Sequence, residues 1–252
     1  MILLTAQPRT GKSTAIKKII NMLGPNNCKG FYTEEIREDG ERVGFRINTL
    51  SGKQSLLAHI NIKSKYQISR YGVDLVAFEE TCIKELEDAI TDKSTKYIII
   101  DEIGPMQLFS EKYKDLLIKL LDSKKEVIGT IFMNSYEWLD DFKKNKNIKL
   151  IDITFDNRDE LPLEIVKVVT KNNPQMQRKI DKAIKYSNEL ERFNNQDDKI
   201  IINSEHGTRT IKKENNKYVC DCDFYKENGT CSHIMTIINT NLDFNKQKKL
   251  TK

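Results

Sequence analysis

One segment near the N-terminus restricts the possible folds more than any other part of the sequence. Residues 6–13 read Ala-Gln-Pro-Arg-Thr-Gly-Lys-Ser, a close variant of the phosphate-binding loop G-x-x-x-x-G-K-[S/T]. A short apolar run over residues 1–5 precedes the loop, and apolar residues with helical spacing follow it from Ala15 to Leu23. A strand, a tight loop and a helix in this order predict a parallel α/β sheet, with the loop at the carboxyl end of its strand.

The chemistry of this loop gives each part of it a role. Backbone N–H groups at a helix N-terminus would surround the phosphates, Lys12 would bind the β- and γ-phosphate oxygens, and the Ser13 hydroxyl would bind Mg²⁺. The first glycine of the pattern is replaced by Ala6, which has less backbone freedom. The predicted nucleotide-binding residues of the loop are Ala6, Gln7, Pro8, Arg9, Thr10, Gly11, Lys12, Ser13 and Thr14.

Two carboxylates follow a second apolar strand. Tyr97–Ile100 is uninterrupted and apolar, as a buried parallel strand should be, and Asp101 and Glu102 come directly after it. Ligands of open α/β sheets bind at the carboxyl ends of the strands, so these acids should face the phosphate loop. We expect Asp101 to hold Mg²⁺ and Glu102 to orient and deprotonate the attacking water, which makes Lys12, Asp101 and Glu102 the predicted catalytic residues.

The rest of the first 170 residues alternates between strand and helix patterns, which predicts a mostly parallel sheet covered on both faces. Asn157 and Arg158 follow the last predicted strand of this region. They are candidates for contact with a nucleobase, although a capped loop before the next helix explains them equally well. The predicted elements are a hairpin over 30–50, helices near 75–90, 111–122, 136–144 and 161–169, and strands near 127–132 and 148–155.

Four segments of this region resemble a known family. They are Gly30–Arg37, Asp101–Met106, Gly129–Ile131 and Asn157–Asp159. In order and spacing they are similar to the nucleoside-triphosphatases first described in thermophiles, which have a human cancer-related member. The resemblance covers residues 1–170 and implies a RecA-like fold. It also implies Mg²⁺-dependent hydrolysis of ATP, GTP and other nucleoside triphosphates to the diphosphate and phosphate.

The phosphate loop departs from the usual sequence of that family, G-x-P-G-x-G-K-T. Serine at position 13 keeps the hydroxyl, whereas Arg9 replaces a glycine that lies over the phosphates. The arginine could clash there, or it could supply a cation to the γ-phosphate. Arg70 matches a recurrent family segment and could neutralise phosphate charge, or it could simply form a surface ion pair.

A second constellation lies near the C-terminus. Cys220, Cys222, Cys231 and His233 form the pattern C-x-C-x8-C-x-H. Four soft ligands predict a closed, tetrahedral structural Zn²⁺ site with no open position for catalysis. Disulfide pairing is the alternative, which the companion histidine and a reducing compartment disfavour. The other two cysteines, Cys28 and Cys82, should be buried thiols.

The surrounding residues resemble a SWIM-type zinc finger, with Tyr218 before the first cysteine pair and Phe224 after it. Such modules are associated with DNA or protein contacts. The predicted division is therefore an NTPase domain over 1–170, a connecting helix or linker over 171–199, a small α+β zinc module over 200–242 and a disordered tail over 243–252. Residues 171–252 contain 16 basic and 11 acidic residues, which supports a nucleic-acid partner weakly and a solvated surface equally well.

Composition limits the location and the class of protein. No apolar run approaches the roughly 18–20 residues that a membrane helix needs, and the N-terminal run is too short for a signal peptide. We therefore predict a cytoplasmic protein with no membrane partner. Its oligomeric state is left open by the sequence.

These patterns predict an enzyme that hydrolyses nucleoside triphosphates. Two alternatives stay open. A nucleotide or nucleoside kinase would share the fold, but an acceptor pocket and an arginine-rich lid are not visible in the sequence, and Glu102 beside Asp101 favours water as the nucleophile. A nucleotide-gated adaptor would bind the triphosphate with little turnover.

Overall fold

The computed structural model describes residues 1–196, 198–214 and 217–242, which form two compact units. The first contains residues 1–16 and 27–155, and the second contains residues 17–26 together with the chain from 156 onward. The predicted boundary at residue 170 and the predicted linker stay predictions. The predicted disordered tail, 243–252, lies outside the described residues.

The first unit is built on one nine-stranded sheet. Strands β2, β7, β8, β1 and β9 lie side by side in that order and are parallel. Strands β3, β4, β6 and β5 extend the sheet beyond β2 with antiparallel pairings. The strands are β1 (Ile2–Thr5), β2 (Cys28–Glu38), β3 (Glu41–Thr49), β4 (Gln54–His59), β5 (Gln67–Ile68), β6 (Tyr71–Val73), β7 (Tyr97–Ile103), β8 (Glu126–Ile131) and β9 (Lys149–Asp152).

Five helices accompany this sheet. They are α1 (Lys12–Leu23), α2 (Leu75–Phe78), α3 (Lys84–Thr91), α4 (Glu111–Leu121) and α5 (Glu137–Lys143). A π-helical turn over Glu79–Ile83 joins α2 and α3, so the helix predicted near 75–90 widens in the middle. The α/β fold with a parallel central sheet is confirmed.

The apolar core of the first unit explains why β7 is central. Ile98, Ile99 and Ile100 are fully buried, as expected for a strand covered on both faces. Phe31 and Phe78 pack edge to face with ring centroids 6.1 Å apart, and Tyr113 packs on Phe78 at 5.1 Å. Side chains of this size dominate the free energy of burial and hold the carboxyl end of β7 in place.

The second unit contains helices α6 (Leu161–Val169), α7 (Pro174–Ser187), α8 (Asp223–Asn228) and α9 (Ser232–Thr240). Its antiparallel sheet consists of β10 (Phe193–Gln196), β11 (Lys199–Ser204), β12 (Gly207–Glu214) and β13 (Lys217–Cys220). The segment 171–199 thus contains the strand β10 as well as the helix α7. Phe193 of β10 is buried, and its ring packs against the ring of Tyr186 in α7. Helix α8 ends at Gly229, whose positive φ of 66° favours glycine.

Helix α1 is continuous, although its residues belong to different units. Lys12–Ile16 cluster with the first unit, whereas the helix from Lys17 onward clusters with the second. Among all the helices that the structure describes, none combines the length and the apolar character that crossing a membrane requires.

Candidate functional site

The phosphate loop connects β1 to α1 in a compact turn. The Thr10 amide and hydroxyl both donate to the carbonyl of Gln7, at 3.3 and 2.8 Å. The turn requires positive φ at Gly11 (114°) and at Arg9 (67°). Ala6 is not among the residues with positive φ, so alanine at the first glycine position causes no left-handed strain.

The positive φ at position 9 therefore explains why the family usually has glycine there. An L-residue in the left-handed region costs about 1–2 kcal/mol, and Arg9 carries that cost here. Its side chain is exposed and is not part of the cavity lining described below.

The lysine and the glutamate predicted to be catalytic are in direct contact. Lys12 Nζ lies 3.0 Å from Glu102 Oε1, with side-chain exposures of 20% and 31%. Strand β8 separates β1 from β7 in the sheet, and both strands end at the same edge. The carboxyl ends of parallel strands therefore bring two distant sequence motifs together.

Asp101 is buried, at 4% exposure, and it accepts a hydrogen bond from the Thr130 hydroxyl through Oδ1. Burial raises the pKa of Asp101 to about 6, and the neighbouring Glu102 charge adds to this increase. The hydroxyls of Thr130 and Ser13 and the Lys12 charge act in the opposite direction and lower the pKa. Ser13 and Asp101, the two residues expected to bind Mg²⁺, are thus adjacent.

Two hydroxyls support this centre: that of Thr33, which the sequence offers as a candidate to face the γ-phosphate, and that of Thr130, which the sequence did not single out. Thr130 lies near the end of β8, fully buried, and Thr33 Oγ1 donates to the Asp101 carbonyl at 2.9 Å. The register between β7 and β8 shifts between Ile100 and Ile103, and the peptide bond between Asp101 and Glu102 is cis. The available signal for Thr130 was a single hydroxyl in the otherwise apolar run 127–131.

These residues open onto one cavity of about 680 Å³ within the first unit. Of the predicted site residues, Ala6, Pro8, Lys12, Ser13, Asp101 and Glu102 line it. Gln7, Arg9, Thr10, Gly11 and Thr14 belong to the loop and the first helical turn but not to the lining. The far end of the cavity, beyond Glu102, is lined by Glu35, Arg42, Phe45, Ile68, Arg70 and Tyr71.

Asn157 and Arg158 belong to the second unit. The Asn157 carbonyl accepts from the Leu161 amide at 2.9 Å, just where α6 begins, and Arg158 Nε lies 3.9 Å from Asp159. This local geometry fits the loop interpretation of these residues. The predicted nucleobase contact stays a prediction.

The four Cys/His residues converge in the second unit. One ligand atom from each of Cys220, Cys222, Cys231 and His233 lies within 4.8 Å of the others, and all four residues are buried. His233 Nδ1 lies 3.5 Å from Cys220 Sγ and 3.8 Å from Cys231 Sγ. Tetrahedral Zn²⁺ with bonds of about 2.3 Å to sulfur and 2.0–2.1 Å to nitrogen predicts ligand separations of about 3.5–3.8 Å.

The surroundings of the cluster favour a bound cation. Cys231 directly precedes α9, and His233 lies in its first turn, stacked on Tyr186 with ring centroids 6.0 Å apart. Burial raises the pKa of the Cys231 thiol well above its ordinary value. A thiolate in this place therefore needs a compensating positive charge, which a metal ion would supply.

The N-terminal part of this chain is similar to known proteins. Residues 1–166 match the family model described as NTPase. The nucleoside-triphosphatase THEP1 of Thermotoga sp. strain RQ2 is 40% identical over 176 residues, covering 70% of this chain and 99% of that protein. The human cancer-related nucleoside-triphosphatase is 32% identical over 181 residues, covering 67% of this chain and 95% of that protein.

Two solved structures are also similar. The crystal structure of THEP1 from Aquifex aeolicus aligns with a TM-score of 0.60 and 36% identity, over 67% of this chain and 99% of that one. The solution structure of the human cancer-related nucleoside triphosphatase aligns with a TM-score of 0.58 and 30% identity, over 68% of this chain and 97% of that one. These similarities cover the sheet that carries the phosphate loop and the acidic pair.

Proposed function

We propose that this chain, which belongs to the NTPase family and is a nucleoside-triphosphatase, uses Mg²⁺ to hydrolyse ATP, GTP and other nucleoside triphosphates to the diphosphate and phosphate. One observation carries the proposal: Lys12 and the Asp101–Glu102 pair meet at a single cavity. The RecA-like character of the core belongs to the same proposal. It is supported by the parallel central strands and by two motif-bearing strand ends at one edge.

The residues act in a defined order. The backbone amides of the phosphate loop and Lys12 bind the β- and γ-phosphates, so Lys12 exchanges its partner Glu102 for phosphate oxygens. Glu102, released from the ion pair, then orients a water molecule and takes its proton. The water oxygen forms a bond to the γ-phosphorus while the bond from that phosphorus to the β–γ bridging oxygen breaks, and the diphosphate leaves.

The chemistry of the donors fits Mg²⁺. Ser13 and Asp101 offer a hydroxyl and a carboxylate, and hard divalent cations prefer oxygen ligands. Ionised Asp101 is costly at 4% exposure, and a cation would offset that cost. Bound Mg²⁺ would neutralise charge on the phosphates during transfer.

The test is phosphate release from four nucleoside triphosphates by the purified full chain in the presence of Mg²⁺. The Glu102→Gln variant should lose about 10²–10⁴-fold in rate, because a positioned general base contributes about that much. Glu111→Gln changes an exposed glutamate on α4 and serves as the matched control. Unchanged phosphate release by Glu102→Gln would overturn the proposal and favour the nucleotide-gated adaptor.

We also propose that the Cys/His cluster holds one structural Zn²⁺ in a SWIM-type module. The donor set, the 3.5 and 3.8 Å separations and the burial of all four ligands support this. Metal analysis of the purified protein should give one zinc per chain, and Cys220→Ser should lower that content to near zero. Retained zinc in the variant would refute the assignment.

A DNA or protein partner is proposed for this module, supported by the type of module and by the basic excess after residue 170. Titration of the full chain with DNA at two salt concentrations, with phosphate release measured in parallel, tests the DNA half. Absence of both binding and stimulation would eliminate it. A cytoplasmic location is proposed because the thiol ligands Cys220, Cys222 and Cys231 have to be reduced to bind a metal ion, and a reducing compartment keeps them in that state.

A further inference from the structure

The order of the strands in the sheet indicates which of them lie on the side from which a nucleophile would attack the γ-phosphate. Phosphoryl transfer needs the attacking and leaving oxygens roughly in line, so the nucleophile approaches from the side opposite the β-phosphate. With Lys12 on the β- and γ-oxygens, Glu102 on β7 marks that side. Beyond Glu102, further from the phosphate loop, come β2, β3, β4 and β6.

The cavity extends in this direction much further than a water molecule requires. Its lining continues from the loop after β1 to Arg42 and Phe45 of β3. These strands are four steps apart in the sheet, or about 19 Å at roughly 4.8 Å per strand. A water molecule occupies only about 30 Å³. The cavity, about 680 Å³ in all, thus extends past the place of an attacking water and leaves space for an acceptor beyond the γ-phosphate.

The charges at the far end suit an anion. Arg42 Nη1 pairs with Glu35 at 2.9 Å, whereas Arg70 makes its close contacts with neutral atoms, the Arg42 carbonyl at 2.6 Å and the Tyr71 hydroxyl at 3.4 Å. Among the residues that the structure describes, its acidic contact is Glu41, whose carboxylate lies 3.8 Å away and whose side chain is 77% exposed. An ion pair of that kind neutralises little charge. Arg70 therefore presents an incompletely compensated guanidinium at the cavity.

The position of Arg70 is fixed by its neighbours. Its guanidinium carbon lies 5.5 Å from the centroid of the Tyr71 ring, and the Tyr71 hydroxyl also accepts from Arg42 Nε at 3.1 Å. Phe45, Ile68, Met106 and Phe132 supply apolar lining. A guanidinium held in place can bind a phosphate group through two parallel hydrogen bonds, and the apolar side chains beside it can pack against a planar ring. The far end of the cavity therefore suits a planar molecule that carries a phosphate group.

We propose that this far end is an acceptor subsite for a nucleoside monophosphate, and that the enzyme transfers the γ-phosphoryl group to a hydroxyl of that acceptor. Glu102 takes the proton of the hydroxyl, whose oxygen forms the new bond to the γ-phosphorus. The bond from that phosphorus to the bridging oxygen breaks, and the diphosphate leaves. The proposal rests on the triphosphate site proposed above but not on water as the nucleophile.

The experiment follows the labelled γ-phosphate of ATP in the full chain with Mg²⁺ and nucleoside 3′- or 5′-monophosphates of each base. Chromatography separates label on the acceptor from label on inorganic phosphate, and ADP is measured in parallel. We expect label on a nucleoside monophosphate, with ADP equal to the sum of both products. The two series of acceptors distinguish which hydroxyl, 5′ or 2′/3′, is used.

Variants then test the subsite itself. Arg70→Ala should lower the ratio of labelled acceptor to inorganic phosphate by about 10- to 100-fold, since it removes a charge-assisted contact. Arg70→Lys should restore part of it. Arg46→Ala is the matched control, because Arg46 is an exposed arginine of β3, in the same antiparallel part of the sheet, that does not line the cavity. An equal ratio in Arg70→Ala and Arg46→Ala would overturn the assignment of Arg70.

Two negative results have different meanings. ADP formation with all the label on inorganic phosphate, for every acceptor, would overturn the transfer reaction and leave the hydrolase intact. If no ADP forms at all, the proposed hydrolysis is wrong as well, and a binding measurement then tests whether the subsite exists. Saturable binding of a nucleoside monophosphate beside a non-hydrolysable ATP analogue, weakened in Arg70→Ala, would uphold the subsite, and absence of binding to the unchanged protein would overturn it.

Discussion

The cavity of the first unit and the Cys/His cluster of the second balance their charges in opposite ways. In the cavity, Lys12 pairs with Glu102, and Asp101 accepts from Thr130, so protein groups already offset one another. In the cluster, three buried thiols and an imidazole converge with no cationic side chain among the ligands. The first arrangement can exist before its ligand binds, whereas we expect the second to need the proposed metal ion in order to fold.

The largest expected effect is therefore loss of the metal. Cys231→Ala should abolish zinc binding and unfold the second unit, because structural zinc contributes apparent binding energies of about 10–16 kcal/mol to small domains. Hydrogen exchange should become fast in β11 and β12 and stay slow in β7 and β8. Cys82→Ala, which removes a buried thiol outside the cluster, should leave zinc content unchanged. Slow exchange in β11 without zinc would show that the two sites do not differ in this way.

Asp101 tests how buried charge affects stability at the cavity of the first unit. Its pKa in the folded state, about 6, is above its ordinary value of 3.8, so its contribution to stability is present below pH 3.8 and lost as the pH rises through about 6. Asp101→Asn should therefore unfold less readily than the original protein at pH 7 without Mg²⁺, by up to about 3 kcal/mol, and should lose phosphate release.

Urea denaturation at pH 4 and pH 7 checks this expectation. The difference between Asp101→Asn and the original protein should be much smaller at pH 4, because Asp101 is protonated there in the folded state and the carboxyl of the unfolded chain, with its ordinary pKa of 3.8, is only partly ionised. A difference that does not change with pH would mean that burial of this charge does not control the stability of the first unit.

Thr130 should act as a positioning residue for Asp101. Thr130→Val keeps the shape but removes the donor, and we expect kcat/KM for the triphosphate to fall about tenfold, with recovery in Thr130→Ser. Because this hydrogen bond lowers the pKa of Asp101, its loss should also move the acid limb of the pH–rate profile to higher pH. A uniform loss of rate at every pH, with no rescue by serine, would indicate a packing defect instead.

The smallest effect concerns the phosphate loop. Arg9→Gly should raise the free energy of unfolding of the first unit by about 1 kcal/mol relative to Arg9→Ala, because only glycine relieves the positive φ of 67°. Both variants lack the arginine side chain, so their difference reports on the backbone alone. Equal stability of the two variants, measured by urea denaturation, would show that the turn relaxes without strain.

Local spacing and strand position explain which parts of both sites could be predicted. The phosphate loop follows β1 directly and the acidic pair follows the buried residues of β7, so parallel pairing alone brings Lys12 to Glu102. The Cys/His pattern was visible because its four ligands lie within fourteen positions. In each case the chemistry depends on residues whose neighbours in sequence reveal their role.

Long-range pairing explains what the sequence did not reveal. Arg42 and Arg70 are 28 residues apart, and they meet only because β3, β4 and β6 pair across an antiparallel extension of the sheet. The sequence therefore showed no acceptor-sized cavity. Thr130 was missed because its partner, Asp101, lies on the neighbouring strand, and β10 was missed because Asn and Gln dominate it.

The continuous helix α1 has a consequence for any attempt to divide the molecule. The first residues of this helix, Lys12 and Ser13, belong to the phosphate loop. From Lys17 onward the helix clusters with the Cys/His unit, where the Thr230 hydroxyl donates to the Met22 carbonyl at 2.9 Å. A shortened polypeptide that ends at residue 155 would keep all of helix α1 but lose the residues, from 156 onward, with which the helix clusters from Lys17. Ile20, Met22 and Leu23, at most 6% exposed in the full chain, would then meet solvent, so such a fragment should aggregate.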